Sequence, residues 1–308
     1  MAYAASGRRR AAVLALAIEV LLAGAAVGAG LSRRESLGPD YVRIAEVPAG
    51  PPETSVGSYV WDCGRNEIGH RSTANIVLTP DGAGSVHHVH DYLGNLSVDL
   101  GSTVASLAGG GTTCTNGDES TYYWPVLRVV DRRDDGHGGS VLVPAAINLT
   151  FLGNARGPVV EMPRLLRGAV GDAYALTNGG ARAAPVWSCS ATPERRSMRY
   201  PICPAGQRVL RIFDFPSCWD GRRVDSGDHR QHLVFPAPGG GCPISTFAVP
   251  RLRIVVAYDV PAGIRFRIDS FATQRHSPRT DHAFFINLMP EALMTEVVRC
   301  LNAGRSCQ

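Results

Sequence analysis

The chain contains no lysine, so all 31 of its Lys/Arg positions are arginine. That excludes a Schiff-base lysine, a P-loop lysine and a lysine general base. Also missing are a Gly-x-Ser-x-Gly nucleophile turn, a Gly-rich dinucleotide fingerprint and any Cys-x-x-Cys pair. Serine-hydrolase, nucleotide-cofactor and zinc-ribbon or thioredoxin-like chemistries therefore lack their usual carriers. No cofactor is expected. Charge is sparse as well, at 19% of residues and a net +4, with the arginines interleaved among acids. No basic stripe is left for nucleic acid, which is not expected as a partner.

Hydrophobic residues make up 44% of the 308, enough for a packed core, while 34 glycines and 21 prolines favour turns over long helices. Arg8, Arg9 and Arg10 precede an apolar run from Ala11 to Leu31 broken only by Glu19. Residues 1–31 therefore read as a signal peptide or an N-terminal membrane anchor, and membrane contact is expected only through 11–31 if that segment stays uncleaved. The Pro/Gly-rich stretch 32–58 reads as a linker, leaving 59–308 as one folded domain.

All eight cysteines follow the export segment, and an even count in an exported chain favours disulfides. Local pairs are expected, Cys218 with Cys242 and Cys300 with Cys307 or another nearby partner. Short β-like runs, including Asn75–Leu78, Val126–Val130, Ser140–Val143, Arg208–Phe213, Arg253–Tyr258 and Arg265–Ile268, are punctuated by Gly/Pro turns. They predict a mostly β fold, a β-sandwich or jelly roll with long loops. A helix is predicted from Pro290 to Leu301, and loops over Gly153–Pro201.

Seven of the nine histidines fall in three local clusters: His87-His88-Val89-His90-Asp91, Asp225–His232, and His276 with Asp281-His282. In an extended segment His88 and His90 share a face, as two metal ligands or two active-site imidazoles require. Imidazoles beside carboxylates can run acid/base chemistry near neutrality or hold a divalent ion. The plainer readings are hydrogen-bonded histidines in turns capped by Asp225 and Asp228, and aromatic residues that are simply core.

Several stretches together resemble the DUF1996 family. They are His88-Val89-His90 with Gly94-Asn95, Ser120–Pro125, Cys203-Pro204, Phe215-Pro216-Ser217-Cys218-Trp219-Asp220-Gly221, Asp225-Ser226-x-Asp228-His229-x-x-His232 and Cys242-Pro243. Members are exported fungal and actinobacterial proteins, in fungi sometimes joined to WSC modules. The resemblance implies an extracytoplasmic setting near polysaccharide and brings no reaction with it. Phe284 stands where the family tends to have aspartate, and Tyr123 where it tends to have tryptophan.

The leading expectation is action on extracellular or cell-wall polysaccharide. His88, His90, Asp228, His229, His232 and His282 form the catalytic set, and Trp219, Tyr122 and Asp225 bind substrate, with no metal assigned. The alternatives are a non-catalytic glycan-binding or structural domain, and a metal-binding domain using His88, His90, His229 and His232.

Overall fold

The computed structural model describes residues 38–51, 55–79, 88–103, 105–130, 139–261 and 263–308. The expected export segment, His87 and the turn at 80–82 lie outside them. Residues Pro39–Gln308 form one compact unit.

The fold is mostly β, built around two large sheets. A seven-stranded sheet runs in the order β11 (Thr192–Ser197), β10 (Trp187–Cys189), β13 (Val209–Asp214), β17 (Arg251–Tyr258), β8 (Ala146–Leu152), β2 (Ser58–Trp61), β20 (Ser306–Cys307). A five-stranded sheet runs β3 (Arg71–Ser72), β4 (His90–Gly94), β5 (Thr121–Pro125), β19 (His282–Ile286), β9 (Arg167–Gly171). Smaller sheets pair β1 (Tyr41–Arg43) with β12 (Tyr200–Ile202), place β14 (Cys218–Trp219) between β15 (Leu233–Val234) and β16 (Phe247–Ala248), and place β6 (Leu127–Val129) between β18 (Phe266–Ile268) and β7 (Ser140–Leu142).

Alternation along the strands explains the layers. Trp61, Phe151, Ile254 and Phe213 of the seven-stranded sheet share one core with Leu93, Tyr122, Trp124 and Phe285 of the five-stranded sheet. The intervening residues of the five-stranded sheet, Tyr92, Tyr123 and Phe284, face outward into a second core closed by Ile76, Val77 and Leu107. This sheet is thus covered on both sides, and each fully buried aromatic or aliphatic side chain contributes roughly 1.5–3 kcal/mol.

Three expectations change. Asn75–Leu78 is a turn, because Asn75 turns back on itself: its carbonyl accepts from Thr79 N–H at 2.7 Å and its Oδ1 from Leu78 N–H at 3.1 Å. The Gly153–Pro201 region carries β9, β10 and β11, which complete the sheet edges. The stretch read as linker contains β1, which pairs in parallel with β12 and sends the Tyr41 hydroxyl to the Phe266 carbonyl at 2.6 Å.

The helix appears as α1 (Glu291–Asn302), with Pro290 at its N-cap and Gly304 just past its end. Disulfides join Cys63–Cys114, Cys189–Cys203, Cys218–Cys242 and Cys300–Cys307. The two local pairings expected are both present. The Cys63–Cys114 bridge closes the longest loop, a separation of 51 residues, for which chain entropy gives about 4 kcal/mol, against about 2 kcal/mol for the short Cys300–Cys307 loop.

Candidate metal centre

Strands β4 and β19 both flank β5, and both begin at the same end of it. His90 pairs with Pro125 at the end of β5. The β19–β5 register, Phe284 to Tyr123 and Phe285 to Tyr122, extends by two residues to set His282 beside Pro125 as well. The two histidines thus stand on either side of Pro125, with their Nε2 atoms 3.4 Å apart. His88, two residues before His90, lies on the same face, its ring centroid 4.5 Å from that of His90. Its segment is held by Val89, whose N–H donates to Asp269 Oδ2 at 3.0 Å and whose carbonyl accepts from Val126 N–H at 2.9 Å.

The result is a cluster of three buried histidines. His282 Nε2 lies 3.2 Å from His88 Nε2 and 3.4 Å from His90 Nε2, and one ring nitrogen from each histidine falls within 4.8 Å of the other two. His282 Nδ1 lies 2.7 Å from the Thr280 carbonyl. A carbonyl only accepts, so Nδ1 carries the proton and Nε2 of the neutral ring presents its lone pair inward. One in-plane lone pair cannot serve two N–H donors from different directions. Hydrogen bonding among the three rings therefore leaves at least one nitrogen poorly satisfied. His90 Nδ1, also buried, has no hydrogen-bond partner among the described residues.

The surroundings keep two of the rings, His90 and His282, neutral. Burial, first, and then the neighbouring His88 hold His90 and His282 well below the ordinary imidazole range. Arg211 of β13 adds to this from the inner side of the sheet. It donates to the Pro125 carbonyl at 2.6 Å and grips Asp281 through Nε at 2.9 and 3.1 Å. Asp281 is thereby committed to the arginine and directs the start of β19. Gly171 of β9 permits this approach: its φ is +78°, and a Cβ there would collide with the Asp281 carbonyl. Phe271 packs edge-on against His88 at 4.6 Å, and Tyr174 stacks on Phe271 at 4.7 Å.

The other expected site residues lie elsewhere. His232 Nε2 donates to the Arg167 carbonyl at 2.8 Å. Arg167 and Gly171 stand at opposite ends of β9, and Gly171 is the one paired with His282. Four residues of strand separate those positions by ~13 Å. The Asp225–His232 segment covers the free edge of β9. Val224 carbonyl accepts from Arg167 N–H at 2.9 Å, His232 takes the Arg167 carbonyl, and Arg230 takes the Gly171 carbonyl at 2.7 Å.

Within that segment Asp225 accepts from Arg167 at 2.6 Å and from His229 Nδ1 at 2.9 Å. Asp228 Oδ1 accepts from Gln231 N–H, Arg230 N–H and the Ser226 hydroxyl. Those donors outweigh its partial burial and pull its carboxyl down to about 2, which makes it a weak general base.

Tyr122 is 1% exposed, with its hydroxyl on Asp118 at 2.7 Å, so its ring offers no face to a ligand. Trp219 is half-buried and pairs across the strands with exposed Phe247. Asp91, buried on the opposite face of β4 from His90, accepts from Arg71 at 2.7 Å and Asn66 at 2.9 Å. Phe284 shares the face of His282 and stacks on Tyr123 at 5.0 Å.

The supporting residues Arg211, Thr280 and Asp269 carry no motif; only the register of two separate sheets brings them here. No curated protein and no solved structure matches the chain. The family model described as a domain of unknown function, DUF1996, matches residues 77–287, and the chain belongs to that family.

Proposed function

We propose that this is an extracytoplasmic metal-binding domain, in which Nε2 of His88, His90 and His282 hold one transition-metal ion. The spacing carries the reading. Two imidazole nitrogens on a tetrahedral ion at 2.0–2.1 Å stand about 3.3 Å apart, and the observed separations are 3.2 and 3.4 Å. An all-imidazole set suits zinc or copper over magnesium or calcium. The Thr280 carbonyl supplies the outer contact that orients a ligating histidine. Three protein ligands leave a fourth position for water or a small ligand, the arrangement of metal sites that do chemistry.

The four disulfides support a place outside the cytoplasm. Among the described residues no helix is long and apolar enough to cross a membrane, so an anchor rests on residues 11–31 alone. Action on polysaccharide is the second reading, favoured by the Trp219–Phe247 pair on the small β14–β16 sheet, where Phe247 is 53% exposed.

Metal analysis of tag-free protein, followed by titration of stripped protein with Zn²⁺ and Cu²⁺, tests the first reading. The expected result is a single equivalent bound by the native chain and none by His282→Ala. Equal uptake by both proteins, or no uptake by either, sinks it.

A further inference from the structure

Beside the edge strand β9 lies a cavity of about 310 Å³ that the histidine cluster does not use. Its walls are mostly apolar, with Ala169, Ala183, Pro216 and Leu233 among them, and among the described residues Arg182 and Arg230 are the only charged ones lining it. We propose that this cavity binds a carboxylic acid carried on a ring, with Arg230 gripping the carboxylate and Phe235 covering the ring.

Arg230 is the reason for an acid. Its guanidinium is spent on neutral acceptors, the Gly171 carbonyl at 2.7 Å and the Ala169 carbonyl at 3.5 Å. Among the described residues no carboxylate pairs with it. Burial, first, and then the charge of Arg182 weaken its hold on its proton, and Asp172 and Asp228 offset this only in part. A partly desolvated cation with no carboxylate bonded to it gains most from a ligand that brings one. Asp228 does not supply it: its Oδ1 takes backbone and hydroxyl donors, and its Oδ2 contacts the exposed Arg182 at 3.4 Å. A guanidinium keeps five donors in a planar fork, so the two carbonyl bonds leave capacity for a carboxylate.

Phe235 is the reason for a ring. It lines the same cavity and is 51% exposed, an aromatic face set against a wall of alanines. The volume is at the lower end of small-ligand sites, near ~300 Å³, which fits one sugar or one aromatic ring and little more. Sugar acids and aromatic acids share this chemistry. The site stands apart from the metal reading, since it uses none of the three histidines.

Calorimetric titration of the intact chain compares galacturonate with galactose and benzoate with benzyl alcohol. The expected result is that at least one acid binds more than tenfold tighter than its neutral partner and weakens with added salt. Preference for galacturonate assigns sugar acids, and preference for benzoate assigns aromatic acids. Arg230→Gln removes the acid preference. Because Arg230 also covers the β9 edge, Ala183→Phe is the second variant: it fills the cavity, keeps the arginine and abolishes binding. Acid and neutral partners binding alike, or acid binding unchanged in Ala183→Phe, overturns the proposal. Metal content measured on the same samples stays at the native value, so failure here and failure of the metal reading remain distinguishable.

Discussion

Two groups of histidines sit on the same five-stranded sheet and do different work. His229 and His232 lie along its open edge, where ring nitrogens meet Asp225 and the Arg167 carbonyl. Each of those contacts closes a hydrogen-bonding demand made by the fold itself. His88, His90 and His282 lie at the strand starts, and their Nε2 atoms point at one another. The difference teaches that a cluster of histidines and acids in a sequence does not by itself locate a site: Asp225–His232 protects an edge strand, while His88 and His90 converge with a histidine almost 200 residues away.

The comparison breaks most visibly at the support beneath the convergent group. Asp281→Ala strands Arg211, which is 0% exposed. Removing one partner of such a pair costs about 3–5 kcal/mol, read as a drop in the denaturant midpoint together with loss of metal uptake. At the site itself, His90→Ala is expected to abolish the metal-dependent gain in stability. For the native chain that gain is roughly 4 kcal/mol when free metal exceeds its dissociation constant a thousandfold. Thermal midpoints with and without metal measure it, and a gain that survives in the variant assigns the ion to other residues.

The edge group behaves oppositely. His232→Ala leaves the Arg167 carbonyl without its donor, a loss of about 1–3 kcal/mol, with metal binding unchanged. If His232→Ala loses metal and His90→Ala keeps it, the two groups have been assigned the wrong way round.

Part of this was legible in the chain. His88-Val89-His90 announces two imidazoles on one face because strand alternation has a period of two, and they do share a face. Five apolar runs, at Val126–Val130, Ser140–Val143, Arg208–Phe213, Arg253–Tyr258 and Arg265–Ile268, correspond to strands β6, β7, β13, β17 and β18. What could not be read was which histidine cluster joins the first. That depends on β5 lying between β4 and β19, a pairing of segments almost 200 residues apart that no local pattern encodes. Tyr122 illustrates the same gap. The aromatic run Tyr122-Tyr123-Trp124 suggests faces for sugar rings, but the sheet is covered on both sides, and Tyr122 faces the shared core. Asn75–Leu78 has the composition of a strand and is bent by its own asparagine.

The smallest effect concerns pH. Burial, ahead of all other causes, lowers the His232 pKa below 6.5; the Arg167 carbonyl, Asp225 and Asp220 pull the other way, and Arg223 adds to the lowering. A histidine depressed in the folded state binds a proton more readily when unfolded. Its contribution to stability is therefore complete above the ordinary value near 6.5 and declines as pH falls towards and through the folded value. Denaturant midpoints of metal-stripped protein taken between pH 7.5 and pH 5 should fall for the native chain. In His232→Gln they should start lower and fall less steeply. Parallel slopes would mean that the edge histidine is not proton-linked, and that the acid response comes from other buried groups such as His276, whose pKa burial also lowers.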